Sequence, residues 1–365
     1  MPNHTALISG AGVAGPTVAF WLARHGWSVT LVERAAAARS SGSPVDIRGP
    51  AVPVAGRMGV MPRLRAAATH AAAMRVIDRA GRRIARIPMP ASRGHEVEIG
   101  RSDLAAILLD VAGDDIEVIF GDSIATLHED ATGVDVTFEH AAPRRFDVVI
   151  GADGLHSTVR RLAFGPESAW VEDLGLRVAT MPLGGPAEVH DEVLLFNTPG
   201  RLVSIHPARG EAIAAFIFRQ TPAADRSPRE AVMEAYAEVG WRVPELLDRL
   251  SRDGDLWFDA VSRVSLPSWS SDRVVLLGDA ASCVSLFGDG STLAMTGADT
   301  LATALAETPE DPKTAFRRYE SRHRTLVDPK QRNVRRASAL LVPATRPGLA
   351  ARNAAARCMS RAFTR

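Results

Sequence analysis

Cysteine is nearly absent from this chain of 365 residues: only Cys283 and Cys358 occur. Two thiols build neither a disulfide framework nor a thiolate metal centre, so the sequence argues against a stapled fold and against zinc, and fits a reducing, cytoplasmic setting. An excess of one charge is missing as well, since 43 Lys and Arg face 42 Asp and Glu for a formal net charge of +1. That balance excludes the basic footprint of a nucleic-acid binder. The arginines of the C-terminal stretch are spread over helical patterns and read as a solvated face. Long apolar runs are also lacking. The uncharged stretch from Thr5 to Ala23 has no basic flank and is punctuated by Gly10, Gly12, Gly15 and Pro16, so neither a membrane span nor a secretory leader is expected. No repeat or low-complexity tract occurs beyond alanine-rich helices. What remains is a globular composition, 46% hydrophobic and 23% charged, long enough for a large core in two domains. It suits a small-molecule protein, monomer or homodimer.

The glycines of the first stretch have their own logic. Thr5 to Ser9 reads as a buried strand, Gly10-Ala-Gly12-Val-Ala-Gly15 follows, and a helix runs on to about His25 with Ala14, Val18, Trp21 and Leu22 on its core face. A second strand, Ser28 to Glu33, ends in an acid eighteen residues beyond Gly15. This is the dinucleotide fingerprint in its required context. Gly10 permits a tight turn, Gly12 lets a pyrophosphate approach the backbone, Gly15 lets helix and strand close, and Glu33 can accept from ribose hydroxyls. Pro16 costs little in the first helical turn. The fingerprint alone leaves FAD and NAD both open.

Further along, Ser40 to Pro53 reads as a loop carrying Asp46 and Arg48. Short helices cover Ala51 to Met58 and the stretch to about Ala68, and Met74 to Pro90 reads as two strands around Ala80-Gly81. Glu96 to Gly100 is a strand, and Ser102 is expected to cap a helix with Leu104, Ile107, Leu108 and Val111 on one face. Arg101 sits at the positive end of that helix, so its side chain should turn toward an anionic partner such as a phosphate. Ile116 to Phe120, Ser123 to His128 and Val134 to Phe138 suggest a small β-meander. Phe146 to Ile150 is a buried strand leading into Asp153-Gly154 and a helix with Arg160 and Arg161. From Pro166 to Ser271 strands at Val193 to Phe196, Arg201 to Ile205 and Glu211 to Phe218, with a helix pair from Pro228 to Leu250, indicate a separate sheet domain. Its inward residues His206, Phe216 and Phe218 are candidates to line an apolar pocket.

Arg273 to Leu305 closes the pattern. Val274 to Leu277 reads as a buried strand ended by Gly278-Asp279, and a polar loop leads through Gly288-Asp289-Gly290 into a helix. In that helix Leu293, Gly297, Leu301 and Leu305 recur every four residues beside Ala294, Ala298 and Ala302, leaving one narrow face that admits close approach. A carboxylate at a strand end and bare amides at a helix start make a clamp for a polyol and an anion. Helices follow at Lys313 to Leu326 and Val334 to Leu341, and a last one runs through Met359.

With Gly10-x-Gly12-x-x-Gly15, Asp153-Gly154 and Gly278-Asp279 in this order, the chain resembles the class A flavoprotein monooxygenases, the para-hydroxybenzoate hydroxylase-like family. The likeness includes VERA at Val32 to Ala35, Arg-x-Asp-Leu at Arg101 to Leu104, VVIGADGLHSTVRR up to Arg161 and RVVLLGDAA up to Ala281. The fold it implies is α/β: a Rossmann-like FAD-binding domain with a β-meander over 1–75, 95–165 and 272–305, a mixed-sheet substrate domain over 76–94 and 166–271, and C-terminal helices over 306–365. The implied cofactor is FAD, with NADPH or NADH as transient reductant. Its contacts would come from Gly10, Gly12, Ala14 and Gly15, from Glu33 and Arg34 on the adenosine side, and from Arg101 and Asp279 along the phosphates and ribityl chain. Arg48 would lie near the flavin ring, Asp153 would support FAD, and the helix at Gly290 and Ser291 would point its positive end at the ring. The implied reaction inserts one atom of O₂ into an apolar metabolite through a flavin C4a-hydroperoxide. No acid or base is obligatory in it, though His206 is a candidate for activating a phenol.

Three positions depart from that family. Ser282 stands where His or Tyr is common; Leu286, a further candidate for the substrate pocket, stands where a proline ordinarily stiffens the wall beside the flavin; and Asp289 brings a negative charge to the helix start, where it would lower the flavin potential or else point to solvent. These departures keep two other readings open: an FAD-dependent oxidase or dehydrogenase, and a flavin-binding scaffold without redox turnover.

Overall fold

A computed structural model describes residues 4–37, 43–89, 95–208, 210–220, 226–252, 255–283 and 289–362. Five strands form a parallel sheet in the order β17-β11-β1-β2-β7: β1 (Thr5–Ser9), β2 (Ser28–Glu33), β7 (Glu117–Phe120), β11 (Val148–Gly151) and β17 (Val274–Leu276). Leu7, Ile8, Val149, Ile150, Val275 and Leu276 are wholly buried. The central strands are therefore covered on both faces, which is why they read as apolar runs without alternation. Around them pack α1 (Ala14–Arg24), α4 (Arg101–Gly113), α5 (Thr158–Phe164) and α9 (Asp289–Glu307).

Three sequence expectations change here. The strand at Glu117–Phe120 is not part of the meander but pairs in parallel with β2. The preceding α4 acts as the crossover that returns the chain to the same end of the sheet. The meander proper is β8 (Ile124–Glu129), β9 (Val134–Phe138) and β10 (Arg144–Phe146). Within the loop expected from Ser40 to Pro53, β3 (Pro44–Ile47) pairs with β6 (Val97–Gly100), and α2 (Ala51–Arg57) and α3 (Met61–Ala66) follow.

The second sheet has seven strands in the order β16-β12-β15-β14-β13-β4-β5. They are β4 (Ala73–Ile77), β5 (Arg83–Pro88), β12 (Val171–Pro182), β13 (Glu192–Thr198), β14 (Arg201–His206), β15 (Ile213–Arg219) and β16 (Trp257–Val264). β12 and β16 escape the sequence reading because charged residues and a bulge between Asp173 and Leu176 hide the alternation of β12. One face is covered by α6 (Pro228–Tyr236) and α7 (Val243–Arg252). The other meets the ends of α10 (Pro312–Leu341) and α11 (Arg346–Ala362).

α10 is one helix of 30 residues running through Pro329, where two helices were expected. Tertiary contacts hold it: the His323 ring packs edge-on against Trp269 at 6.0 Å, and Gln331 Nε2 donates to the Val264 carbonyl at 2.7 Å. The small face of α9 is used here too. A Cβ on Gly297 would lie 2.8 Å from His323 Nε2 and 3.1 Å from Leu277, so glycine is what lets α10 approach. Among the described residues no helix is long and apolar enough to cross a membrane.

Candidate cofactor and active site

The three motifs converge at the carboxyl ends of β1, β11 and β17, adjacent strands of the parallel sheet, the position at which open α/β sheets place their ligands. Gly10 has φ +105°, and a Cβ there would lie 2.6 Å from the Ala152 carbonyl of the second motif. On Gly15 it would lie 1.9 Å from the Gly10 carbonyl, whereas Gly12 meets nothing within 4 Å. The turn is thus sealed below and open at Gly12. The first turn of α1 has no side-chain cap and no acid, so its amides are available to an anion. Gly278, at φ +64°, would put a Cβ 3.1 Å from that of Ala14, so the third motif abuts the first.

Glu33 is held rigidly. One carboxylate oxygen accepts from the Ala11 amide and the other from the Ala35 amide, both at 2.8 Å, and each keeps lone-pair capacity for a ribose hydroxyl. Arg34 is exposed beside it. Asp153 is committed inside its own turn, accepting from Ser157 Oγ at 2.5 Å, the Val159 amide at 3.1 Å and Ser9 Oγ at 3.4 Å. Burial raises its pKa against those hydrogen bonds. Its carboxylate shapes the turn, and the backbone is what it can offer a ligand.

Arg160, given no part by the sequence reading, proves to be a fully buried cation. Nη1 donates to the Ala280 carbonyl at 3.0 Å and Nη2 to the Leu155 carbonyl at 2.5 Å, tying the second motif to the third. Burial lowers its pKa, partly offset by Glu167 at 3.4 Å. A single arginine in a helical pattern carries no signal of such burial.

Asp279 lies 3.6 Å from Arg101 Nη2, and its Oδ1 would be 3.8 Å from a Cβ on Gly290. Arg101 therefore turns toward the third motif, as the helix-end argument requires. The capping residue of α4 is Gly100, not Ser102, and no side chain caps that end. At the start of α9, Ser291 is buried and Asp289 is half-buried among cations. Asp289 Oδ1 accepts from Arg48 Nη2 at 2.5 Å and Nε at 3.1 Å, while Oδ2 pairs with Lys330 of α10 at 2.8 Å. Against the burial that opposes them, Lys330 and Arg48 hold this carboxyl below its usual range. The expected unbalanced negative charge is absent, because two cations face it. Lys330 was invisible to sequence reading, being one residue of a long solvated pattern. Thr292 Oγ1 donates to the Asp46 carbonyl at 3.0 Å and accepts from the Arg48 amide at 3.2 Å, stitching β3 to α9. Leu286 and Gly288 lie outside the described residues.

On the second sheet, Ser204 Oγ and His206 Nε2 are 2.9 Å apart, while His206 Nδ1 is buried without a partner. Burial pushes the imidazole down to about 4. A base that weak is a poor acceptor for a phenol proton, which counts against the catalytic role considered for it. Phe216 and Phe218 pack edge-on to Tyr236 at 5.1 and 5.6 Å. Strand alternation puts them on the face opposite His206, in the core under α6 and α7 rather than around a pocket. Glu98 pairs across β3 and β6 with Asp46 and accepts from Thr69 Oγ1 at 2.5 Å. Burial raises its carboxyl to about 7, with Thr69 opposing and the Asp46 charge adding. A cavity of about 290 Å³ opens beside Thr69, with His70, His190 and Pro207 on its wall.

A family model described as FAD binding domain matches residues 3–328. A flavin-dependent monooxygenase of Legionella longbeachae is 32% identical over 341 residues, covering 90% of this chain and 87% of that protein. An uncharacterized protein of Mycobacterium tuberculosis is 37% identical over 340 residues, covering 90% of this chain and 91% of that protein. Among solved structures, the tetracycline destructase Tet(55) aligns with a TM-score of 0.85 at 30% identity, over 99% of this chain and 97% of its own.

Proposed function

Because the chain belongs to the family of FAD-dependent, class A flavoprotein monooxygenases, we propose that it uses NADPH or NADH and O₂ to insert one oxygen atom into an apolar, ring-containing small molecule, aromatic or polyketide-like. The observation that carries this reading is the meeting of the three motifs around the open backbone at Gly12 and the uncapped start of α1. A flat, extended dinucleotide needs that open glycine, and no side chain competes for it.

When bound, FAD supplies the redox and oxygen-activating chemistry. In this proposal the α1 amides hold the pyrophosphate, Glu33 and Arg34 bind the adenosine side, and Arg101 with Asp279 orients the phosphates and ribityl chain. Gly290 and Ser291 aim the positive end of α9 at the ring edge where charge develops on reduction, and Arg48 stands beside it. The turn of Asp153 and Arg160 keeps the first and third motifs in register. We assign the seven-stranded sheet to the substrate side and the C-terminal helices to closing it from solvent, since water must be kept from the activated oxygen. The likeness to a tetracycline destructase supports a fused-ring substrate.

Aerobic turnover of the FAD-loaded protein with NADPH and with NADH, against a panel of aromatic and polyketide-like compounds read by mass, tests this. Nicotinamide oxidation stimulated by a compound that gains one oxygen is the expected result. Nicotinamide oxidation without any oxygen gain across the panel would contradict it.

A further inference from the structure

The second sheet carries another cavity, of about 280 Å³, away from the three motifs. It opens where β4 and β13 end and α11 begins, with Ile77, Ile84, Phe196 and Leu349 as its apolar wall. The β3–β6 pair is joined near the other end of these strands, where the Ala72 amide bonds the Asp191 carbonyl and the Thr69 amide bonds the Glu98 carbonyl of β6. β13 has seven residues, so ~20 Å of strand separates the two ends.

Arg352 of α11 lines this cavity without an acid of its own. Its Nη2 donates to Asn197 Oδ1 at 2.5 Å, and its Nε is buried with no partner. Burial alone acts on its pKa, downward, and no carboxylate offsets it. Arg160, by contrast, has Glu167, and Arg75 and Arg86 share Glu192, while the half-buried Arg201 spends its guanidinium on the Ala235 and Pro199 carbonyls. Removing a guanidinium from water without a counter-charge is costly, and a bound anion relieves that cost. Two neutral groups on the same wall, Thr198 Oγ1 and Asn353 Oδ1, are also buried without partners. The hydroxyl can donate, and the alternative amide orientation of Asn353 presents an NH₂ there. Of the acids at the cavity, Asp78 is occupied by the amides of Ala80 and Arg82 and by the Arg82 guanidinium, and Glu238 is exposed.

We propose that this cavity is a second binding site, separate from the oxygenation site, for a small organic anion: a carboxylate held by Arg352, with an apolar body of about benzoate size against Phe196 and Leu349. The site does not depend on the monooxygenase reading. Calorimetric titration of the FAD-loaded protein with benzoate, and with neutral benzamide as control, tests it. One benzoate should bind per chain, at least tenfold more tightly than benzamide and without changing the flavin absorption spectrum. A charge-assisted contact is worth that factor. Arg352→Met should weaken benzoate at least tenfold. Leu349→Trp, which fills the cavity while keeping the cation, should do the same, with flavin content and melting temperature confirming that each variant is folded. Equal benzoate affinity in wild type and both folded variants would overturn the proposal. So would a flavin spectral change on binding, or no binding at millimolar benzoate.

Discussion

Glu98 has no cation to compensate its burial, and this sets a pH dependence. Its folded-state pKa of about 7 stands above the ordinary 4.5, so the fold keeps a proton that the unfolded chain gives up. The stability linked to that proton is complete below the unfolded value and is lost as pH rises through about 7. Glu98→Gln should remove this slope, gaining on wild type between those values by at most roughly 3 kcal/mol. Melting temperatures measured across pH check it, and parallel profiles would refute it. His206 and His323, both pushed down to about 4 by burial, act over an overlapping range with the opposite sign and cancel in the difference between wild type and variant. At this scale the sequence was readable where chemistry dictates one residue type at one spacing. Gly10 and Gly15 each allow the close backbone approach that the fingerprint requires, and Glu33 closes the end of β2 onto the same turn through the Ala11 amide. It was silent on Glu98, Arg160 and Lys330, because a charged residue shows its burial only through partners far along the chain.

At the start of α9, charges from distant parts of the chain meet. Asp289 sits between Arg48 and Lys330, so its charge is balanced by segments from both sides of the chain. Asp289→Asn should raise the midpoint potential of bound FAD by removing the carboxylate that pairs with Lys330 and shares Arg48 with Asp46. Lys330→Met should lower it, and the double variant should return toward wild type. Spectroelectrochemical titration of the three variants decides, and potentials unmoved in both single variants would contradict the arrangement. The helix itself was legible from its four-residue period, since Leu293, Ala298, Leu301 and Leu305 are all core. Its neighbour α10 was not. Pro329 reads as a break in isolation, whereas His323 packing on Trp269 and the Gln331 bond to Val264 tie the helix to other segments on both sides of the proline.

Across the whole molecule, the five-stranded and seven-stranded sheets hold most of the strands. The parallel sheet brings together motifs separated by more than a hundred residues because β1 lies between β2 and β11 and beside it runs β17. This order was legible because each motif ends an apolar run. The second sheet was only partly so: β12 and β16 carry charges and a bulge that erase a two-residue period. The proposed transfer of one atom of molecular oxygen from a flavin site between these sheets is tested by turnover of the FAD-loaded protein with a reduced nicotinamide and a compound from the panel that gains oxygen, under ¹⁸O₂ in ordinary water. One ¹⁸O atom in the product is expected; a product carrying only solvent oxygen, or none gained, would rule the transfer out.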